Sequence, residues 1–218
     1  MPDATKRLLI VDDEECIRTT LSLVFAELGY QVRTALDGFS ALRKIRLENP
    51  DILLSDLNMP GMSGFELLSV VRRRFPAILV IAMSGSFCGI EVPSGVPADA
   101  FYEKGSSTTR LMQMLKTPPK IRRHALPTSD WMSPLWIQRS ASDSLATAQV
   151  KITCPECLRA FSHALDGLGS RKREVDCVHC GNLIQFEAVE PSDRMPQQAF
   201  RRGTGTPLGA QGLSTFSN

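Results

Sequence analysis

Apolar positions in the first half of the chain fall into two alternating patterns. Short solid runs end abruptly in polar residues: Arg7-Leu-Leu-Ile-Val-Asp12-Asp13, Asp51-Ile-Leu-Leu-Ser-Asp56 and Ala77-Ile-Leu-Val-Ile-Ala-Met-Ser84. Runs of this kind suit strands buried on both faces. Tyr30 to Ala35 and Ala100-Phe-Tyr-Glu-Lys104 complete a set of five strands. Between them apolar residues recur at helical spacing. Glu14 and Glu15 open a helix with Ile17, Leu21, Val24, Phe25 and Leu28 on one face, closed by Gly29. Asp37-Gly38 reads as a turn, and Phe39 to Glu48 as a helix with Ala41, Leu42 and Ile45 inward, stopped by Pro50. Phe65 to Arg74 and Ser107 to Leu115 predict two more helices, the last capped by Ser106 or Ser107.

Strands alternating with helices predict right-handed βαβ units, hence an α/β fold with a doubly wound parallel sheet. One connection departs from the pattern. Ser84 to Ala98 holds Gly85, Gly89, Pro93, Gly95 and Pro97, so a helix there is doubtful and at most short.

After Thr117 the pattern fades. Residues 118–149 read as a mildly basic linker, with Lys120, Arg122, Arg123 and Arg139 against Asp130 and Asp143, and with both tryptophans, Trp131 and Trp136. Residues 150–189 form a small cysteine-bearing module. Residues 190–218 have no periodicity and read as a disordered tail.

Composition narrows the function. Of 218 residues 43% are apolar, enough for a globular core, and the net charge of +2 gives no strong field toward nucleic acid or an anionic membrane. No apolar run is long enough to span a bilayer, and the N-terminus lacks a signal-peptide core. A cytoplasmic protein is expected, with reduced cysteines, so paired CxxC spacings favour metal over disulfides.

In such a sheet the strand ends gather at one edge, where ligands bind. They bring Asp12 and Asp13, Asp56, Ser84 and Lys104 together. Bunched carboxylates call for a hard divalent cation, and Mg²⁺ accepts a few of them while keeping water and phosphate oxygens. A carboxylate beside Mg²⁺ can attack phosphorus. Lys104 and Ser84 would offer a charge and a hydroxyl to phosphoryl oxygens.

These residues resemble the response-regulator receiver domain of two-component signalling. The resemblance covers about Lys6 to Lys116, inside a first domain placed at 4–117, and rests on four motifs. They are Val11-Asp12-Asp13, Asp56-Leu-Asn-Met-Pro-Gly-Met-Ser-Gly-Phe-Glu, Met83-Ser84-Gly85 and Phe101-Tyr-Glu-Lys104. It implies a flavodoxin-like strand order 2-1-3-4-5. It implies that Asp56 takes a phosphoryl group from a sensor histidine kinase. Mg²⁺ would be held by Asp12, Asp13, Asp56 and the backbone carbonyl of Asn58, with Asp13 favoured for direct ligation. Ser84 would reorient toward the phosphate and Phe101 would be the rotating aromatic. Slow self-dephosphorylation, rather than enzymatic turnover, is expected. Gly105 follows Lys104 where the family usually has a cis proline, and the broken segment after Ser84 alters the usual output face.

Cys154-Pro-Glu-Cys157 and Cys177-Val-His-Cys180 are separated by nineteen residues. Two such knuckles supply the thiolates of a tetrahedral Zn²⁺ site. The stretch resembles a zinc ribbon, with strands at Val150-Lys-Ile-Thr, Lys172-Arg-Glu-Val-Asp and Leu183 to Ala188. About forty residues bury little core, so metal would supply the folding energy. Redox-active dithiols are the alternative, disfavoured because no βαβ unit surrounds either motif. His163 and His179 read as surface residues, and Cys16 and Cys88 have no partner motif. The basic triplet Arg171-Lys172-Arg173, with Phe161 and Phe186, raises nucleic-acid binding, but Glu156, Asp166, Glu174, Asp176 and Glu187 balance it. The expectation is phosphorelay signalling, with output through the ribbon to an unidentified protein partner. A DNA-binding transcription regulator comes second. A Mg²⁺-dependent phosphatase comes third, because Asn58 stands where its second acid is needed.

Overall fold

The computed structural model describes residues 5–85, 96–116, 135–138, 149–165 and 172–189. Cys88, Trp131, Arg171, most of 118–149, the tail from 190 and most of the doubtful helical segment after Ser84 lie outside the described residues. The first half comprises β1 (Arg7–Val11), α1 (Glu15–Glu27), β2 (Gln31–Ala35), α2 (Gly38–Leu47), β3 (Ile52–Asp56), α3 (Gly64–Arg74), β4 (Leu79–Ser84), β5 (Ala100–Glu103) and α4 (Thr108–Lys116). The five strands form one sheet in the order β2-β1-β3-β4-β5, with every neighbouring pair parallel. This is the doubly wound, flavodoxin-like order expected.

Strand alternation splits the core between the two faces of the sheet. Leu8, Ile10, Ile52, Leu54, Leu79, Ile81, Met83 and Tyr102 pack under α1 and α4 with Phe25 and Leu111. Leu9, Val11, Leu53, Val80, Ala82 and Phe101 pack on the opposite face under α2 and α3. Some local details correct the sequence reading. Leu28 is the C-cap of α1 and 40% exposed, so the helix ends before that position can turn inward. Asp37 is not merely a turn residue. Its Oδ1 accepts the Ser40 N–H at 2.6 Å, making it the N-cap of α2. Of the two caps expected for α4, Ser107 is the one that forms, accepting the Thr109 N–H at 3.2 Å.

The second half contributes β6 (Leu135–Gln138), β7 (Gln149–Thr153), β8 (Ala160–Ala164), β9 (Lys172–Asp176) and β10 (Leu183–Val189). They form a three-stranded sheet β6-β10-β9 and a two-stranded sheet β7-β8. The expected strands before and after the knuckles are present; β8 between them was not foreseen. Nor was β6. Part of the stretch read as a linker is a strand pairing in parallel with β10, because Leu135 and Ile137 bury their alternate side chains.

The small module also does not stand alone. Leu135, Ile137, Val150, Ile152, Phe161, Ile184 and Phe186 belong to the same buried cluster as Phe65, Leu68 and Val71 of α3. Trp136 packs half-buried against that cluster. The module is therefore not limited to the core that forty residues can build, since it borrows the outer face of α2 and α3. No helix among the described residues is long and apolar enough to cross a membrane.

Candidate functional site

Asp56 is the last residue of β3, 3% exposed, and its neighbour across the ladder is Met83. β1 ends one residue before Asp12, which is fully buried, while Asp13 is exposed. The carboxylates of Asp12, Asp13 and Asp56 each offer an oxygen within 4.8 Å of the others. Lys104 reaches across from the end of β5. Its Nζ lies 2.9 Å from Asp12 Oδ2, 2.9 Å from Asp56 Oδ2 and 3.2 Å from Glu14 Oε1. Burial alone would lower the Lys104 pKa, but hydrogen bonds and charge attraction from Asp12 and Asp56 outweigh it and raise it. Burial pushes Asp56 up to about 6 against the pull of Lys104, and Asp12 is raised for the same reason.

One lysine thus faces more negative charge than it can neutralise. Asp56 Oδ1 is buried with no hydrogen-bond partner among the described residues. A buried carboxylate oxygen left in this state is costly, and a cation held by Asp12, Asp13 and Asp56 would remove the cost. The donor set is all oxygen, which fits Mg²⁺.

Ser84 ends β4 and is buried, and its carbonyl accepts the Lys104 N–H at 2.9 Å, linking the two residues through the backbone. Phe101 is buried in the core beneath α3. Gly105 takes φ +85° with open space around it, so a left-handed glycine makes the turn after Lys104. Asn58 lies in the β3–α3 loop two residues past Asp56. Two participants were missed from the sequence. Glu14 contacts Lys104, and Arg18 Nη1 donates to the carbonyls of Asp12 (2.7 Å) and Asp13 (2.8 Å), fastening the acidic loop.

The four knuckle cysteines meet at a second centre. Cys154 Sγ lies 3.7 Å from Cys180 Sγ, and Cys157 Sγ lies 3.7 Å from Cys177 Sγ. Ligands at ~2.3 Å from a tetrahedral ion are ~3.8 Å apart, whereas a disulfide needs ~2.05 Å. The sulfurs therefore have the spacing of a tetrahedral thiolate site. The knuckles are equivalent in the backbone too. Leu158 N–H donates to Cys154 O at 2.9 Å and Gly181 N–H to Cys177 O at 2.8 Å. The residue after each CxxC has positive φ, 56° at Leu158 and 71° at Gly181. His179 Nε2 lies 3.4 Å from the Ala160 carbonyl and His163 packs edge-on against Phe186. Neither belongs to the sulfur cluster.

Polar ties join the two centres. Glu66 of α3, 2% exposed, sits where a helix-capping carboxylate would fold back to Ser63. Its Oε1 instead accepts the Thr153 N–H at 3.1 Å, one residue before Cys154. Lys151 Nζ lies 4.8 Å above the Phe39 ring of α2. Burial pushes the Glu66 carboxyl up to about 8, from 4.5, only partly opposed by Thr153 and Lys151. The folded value exceeds the unfolded one, so this group's contribution to stability is complete below pH 4.5 and is lost as pH rises toward about 8. Glu66→Gln keeps the acceptor without the charge. It is expected to stabilise the chain at pH 8.5 by an amount on the order of 3 kcal/mol, seen as a higher melting temperature, and to change little at pH 4.5. Equal effects at the two pH values in thermal melts would contradict a buried, interface-bound carboxyl.

Comparison with known proteins places the first half. Residues 8–116, half of the chain, match the family model described as response regulator receiver domain. The alkaline phosphatase synthesis transcriptional regulatory protein PhoP of Bacillus subtilis (strain 168) is 32% identical over 131 residues, covering 57% of this chain and 53% of that protein. The transcriptional regulatory protein AfsQ1 of Streptomyces coelicolor is 35% identical over 95 residues, covering 43% and 41%. The chain spans about half the length of these relatives or less. Among solved structures, TrrA of Thermotoga maritima in complex with Mg²⁺-BeF is 31% identical, covering 51% of this chain and 97% of that one, with a TM-score of 0.48. CheY4 of Vibrio cholerae is 30% identical, covering 52% and 98%, also at 0.48.

Proposed function

Because the chain belongs to the response-regulator receiver family, we propose that it is a phosphorelay protein in which Asp56 accepts a phosphoryl group from a sensor histidine kinase. The observation that carries the reading is one buried acid with an unpaired oxygen, held by a lysine beside two further acids. An Asp56 oxygen forms the new bond to phosphorus as the phosphohistidine P–N bond breaks, leaving the imidazole to take up a proton. Asp12, Asp13, Asp56 and the Asn58 carbonyl would hold Mg²⁺, which when bound spreads the charge of the transferring group. Lys104 is already within reach of the same oxygens. Its charge passes from the carboxylate to the phosphoryl oxygens as they arrive. Ser84 supplies the hydroxyl partner on the other side, and Phe101 fills the core position that responds. Turnover is limited to slow hydrolysis of the acyl phosphate.

The four-cysteine centre would hold Zn²⁺ through Cys154, Cys157, Cys177 and Cys180, and the module around it is the output element toward a protein partner. A second reading, output to DNA, draws support from the names of PhoP and AfsQ1 and from Arg43, Arg46 and Lys151, which line one groove between α2 and the module. Duplex DNA binding with a steep inverse dependence on salt would favour it over the protein partner.

Beryllofluoride with Mg²⁺ tests the acceptor. Wild type is expected to form a stoichiometric adduct visible by ¹⁹F NMR, and Asp56→Ala none. An equal response in both removes the receiver reading.

A further inference from the structure

The first zinc knuckle is seated on the helix that begins at the phosphoryl-acceptor loop. Gly64, the first residue of α3, donates its N–H to Leu57 O at 3.0 Å and lies directly against the Asp56 carbonyl. Glu66, two residues on, is bonded to Thr153, which adjoins Cys154. Farther along α3, the half-buried Arg73 feels the charge of Glu156, which lies between Cys154 and Cys157. Between these polar ties, Phe65, Leu68 and Val71 share one apolar cluster with Ile152, Cys154, Phe161 and Cys177. Few residues separate the two centres, and they are joined by packed side chains rather than by a tether.

We infer that the four-cysteine centre is a second input to the receiver: metal bound there sets the affinity of the Asp56 site by holding α3 in place. The inference rests on both readings above and adds the coupling between them. Its sign follows from folding. The two knuckles lose their order with the ion that joins their four thiols. The outer face of α3 is then uncovered and the Glu66 tie is lost, so the loop that carries Asp56 and Asn58 loses its backing. Linkage requires the reverse effect with the same factor: an occupied Asp56 site must tighten metal binding.

The test uses the full chain under reductant, titrating beryllofluoride at fixed Mg²⁺ by ¹⁹F NMR with zinc loaded and after zinc removal by a chelator. Affinity is expected to fall at least about fivefold on removal, a typical size for such coupling. Zinc affinity, read by competition with a chromophoric chelator, should rise by the same factor when beryllofluoride and Mg²⁺ saturate the receiver. Circular dichroism of the stripped chain confirms that the receiver remains folded. Should it unfold instead, Glu66→Ala in the loaded chain serves: beryllofluoride affinity is expected to fall at full zinc occupancy, and an unchanged affinity overturns the coupling. The failures separate cleanly. No adduct under any condition defeats the receiver reading, and no zinc in a folded module defeats the ribbon; either result also ends this inference. Both ligands binding with unchanged affinities overturn the coupling alone.

Discussion

Gly64→Ala is expected to destabilise the chain by more than ~3 kcal/mol and to abolish adduct formation at Asp56, although alanine is the better helix former. Two effects compete. Propensity favours alanine over glycine by about 1 kcal/mol in a helix, and Gly64 does not have the positive φ that would make alanine strained. Sterics point the other way. A Cβ at this position would overlap the Asp56 carbonyl oxygen and come within 2.7 Å of Leu57 Cα and 2.8 Å of the Asp56 carbonyl carbon. These are backbone atoms at the end of a central strand, so no side chain can rotate out of the way. Overpacking of this kind costs ~1–3 kcal/mol where side chains yield, and more where a helix must lift off a strand. The loop between Asp56 and Gly64 carries Asn58, so the same displacement would spread the residues proposed to hold Mg²⁺. Gly105→Ala is the control. Its φ of +85° strains alanine, but nothing lies within 4 Å, so a loss of only about 1 kcal/mol is expected. Denaturant unfolding of both variants measures the difference. If Gly64→Ala is as stable as wild type, the close approach of α3 to β3 is refuted.

The receiver half was largely legible because its signals are local. Solid apolar runs ending in Asp12, Asp56 and Ser84 mark strands whose ends share one edge, and the sheet order then brings Lys104 to the carboxylates. The four thiols were legible from spacing alone. What escaped is non-local. Glu66 and Thr153 are 87 residues apart, and no window of sequence contains their bond. Leu135-Trp-Ile-Gln is too short to show a period beside Pro134. One signal was available. Phe65, Leu67, Leu68, Val70 and Val71 occupy more than one face of α3, and all are buried. A helix that apolar needs cover on its outer side as well as from the sheet, and the only candidate of suitable size downstream was the cysteine module. Glu66 among them was a buried acid in need of a donor, which the spacing Ser63 to Glu66 disguised as an ordinary cap.

Loss of the tetrahedral centre is the other large effect. Cys154→Ser is expected to remove all bound zinc, against about one ion per chain in wild type, and to melt the module while β1 to β5 remain paired. The thiols are poorly suited to existing without an ion. Burial pushes Cys154 up to about 12, whereas Cys177 is held down to about 7: burial opposes ionisation there, but the N–H groups of His179 and Cys180 outweigh it. Burial and the neighbouring N–H groups thus push these thiols in opposite directions, and a divalent cation would favour the ionised form of all four sulfurs at once. Structural zinc contributes ~10–16 kcal/mol of apparent binding energy in small domains; Leu135, Ile137 and Phe186 share a buried cluster with Cys154 and Cys177, so that cluster is expected to loosen in the variant. The redox alternative makes a different forecast. A dithiol pair would respond to reductant and oxidant and ignore chelators. Chelation under reductant should open the module to proteases between β6 and β10, and reductant alone should not. Calorimetry should then show the small transition lost and the receiver transition lowered, because Phe65 and Val71 have lost their outer cover. A module that keeps its protection and its melting profile after complete zinc removal would show that apolar packing on α3, not metal, holds the cysteine strands together.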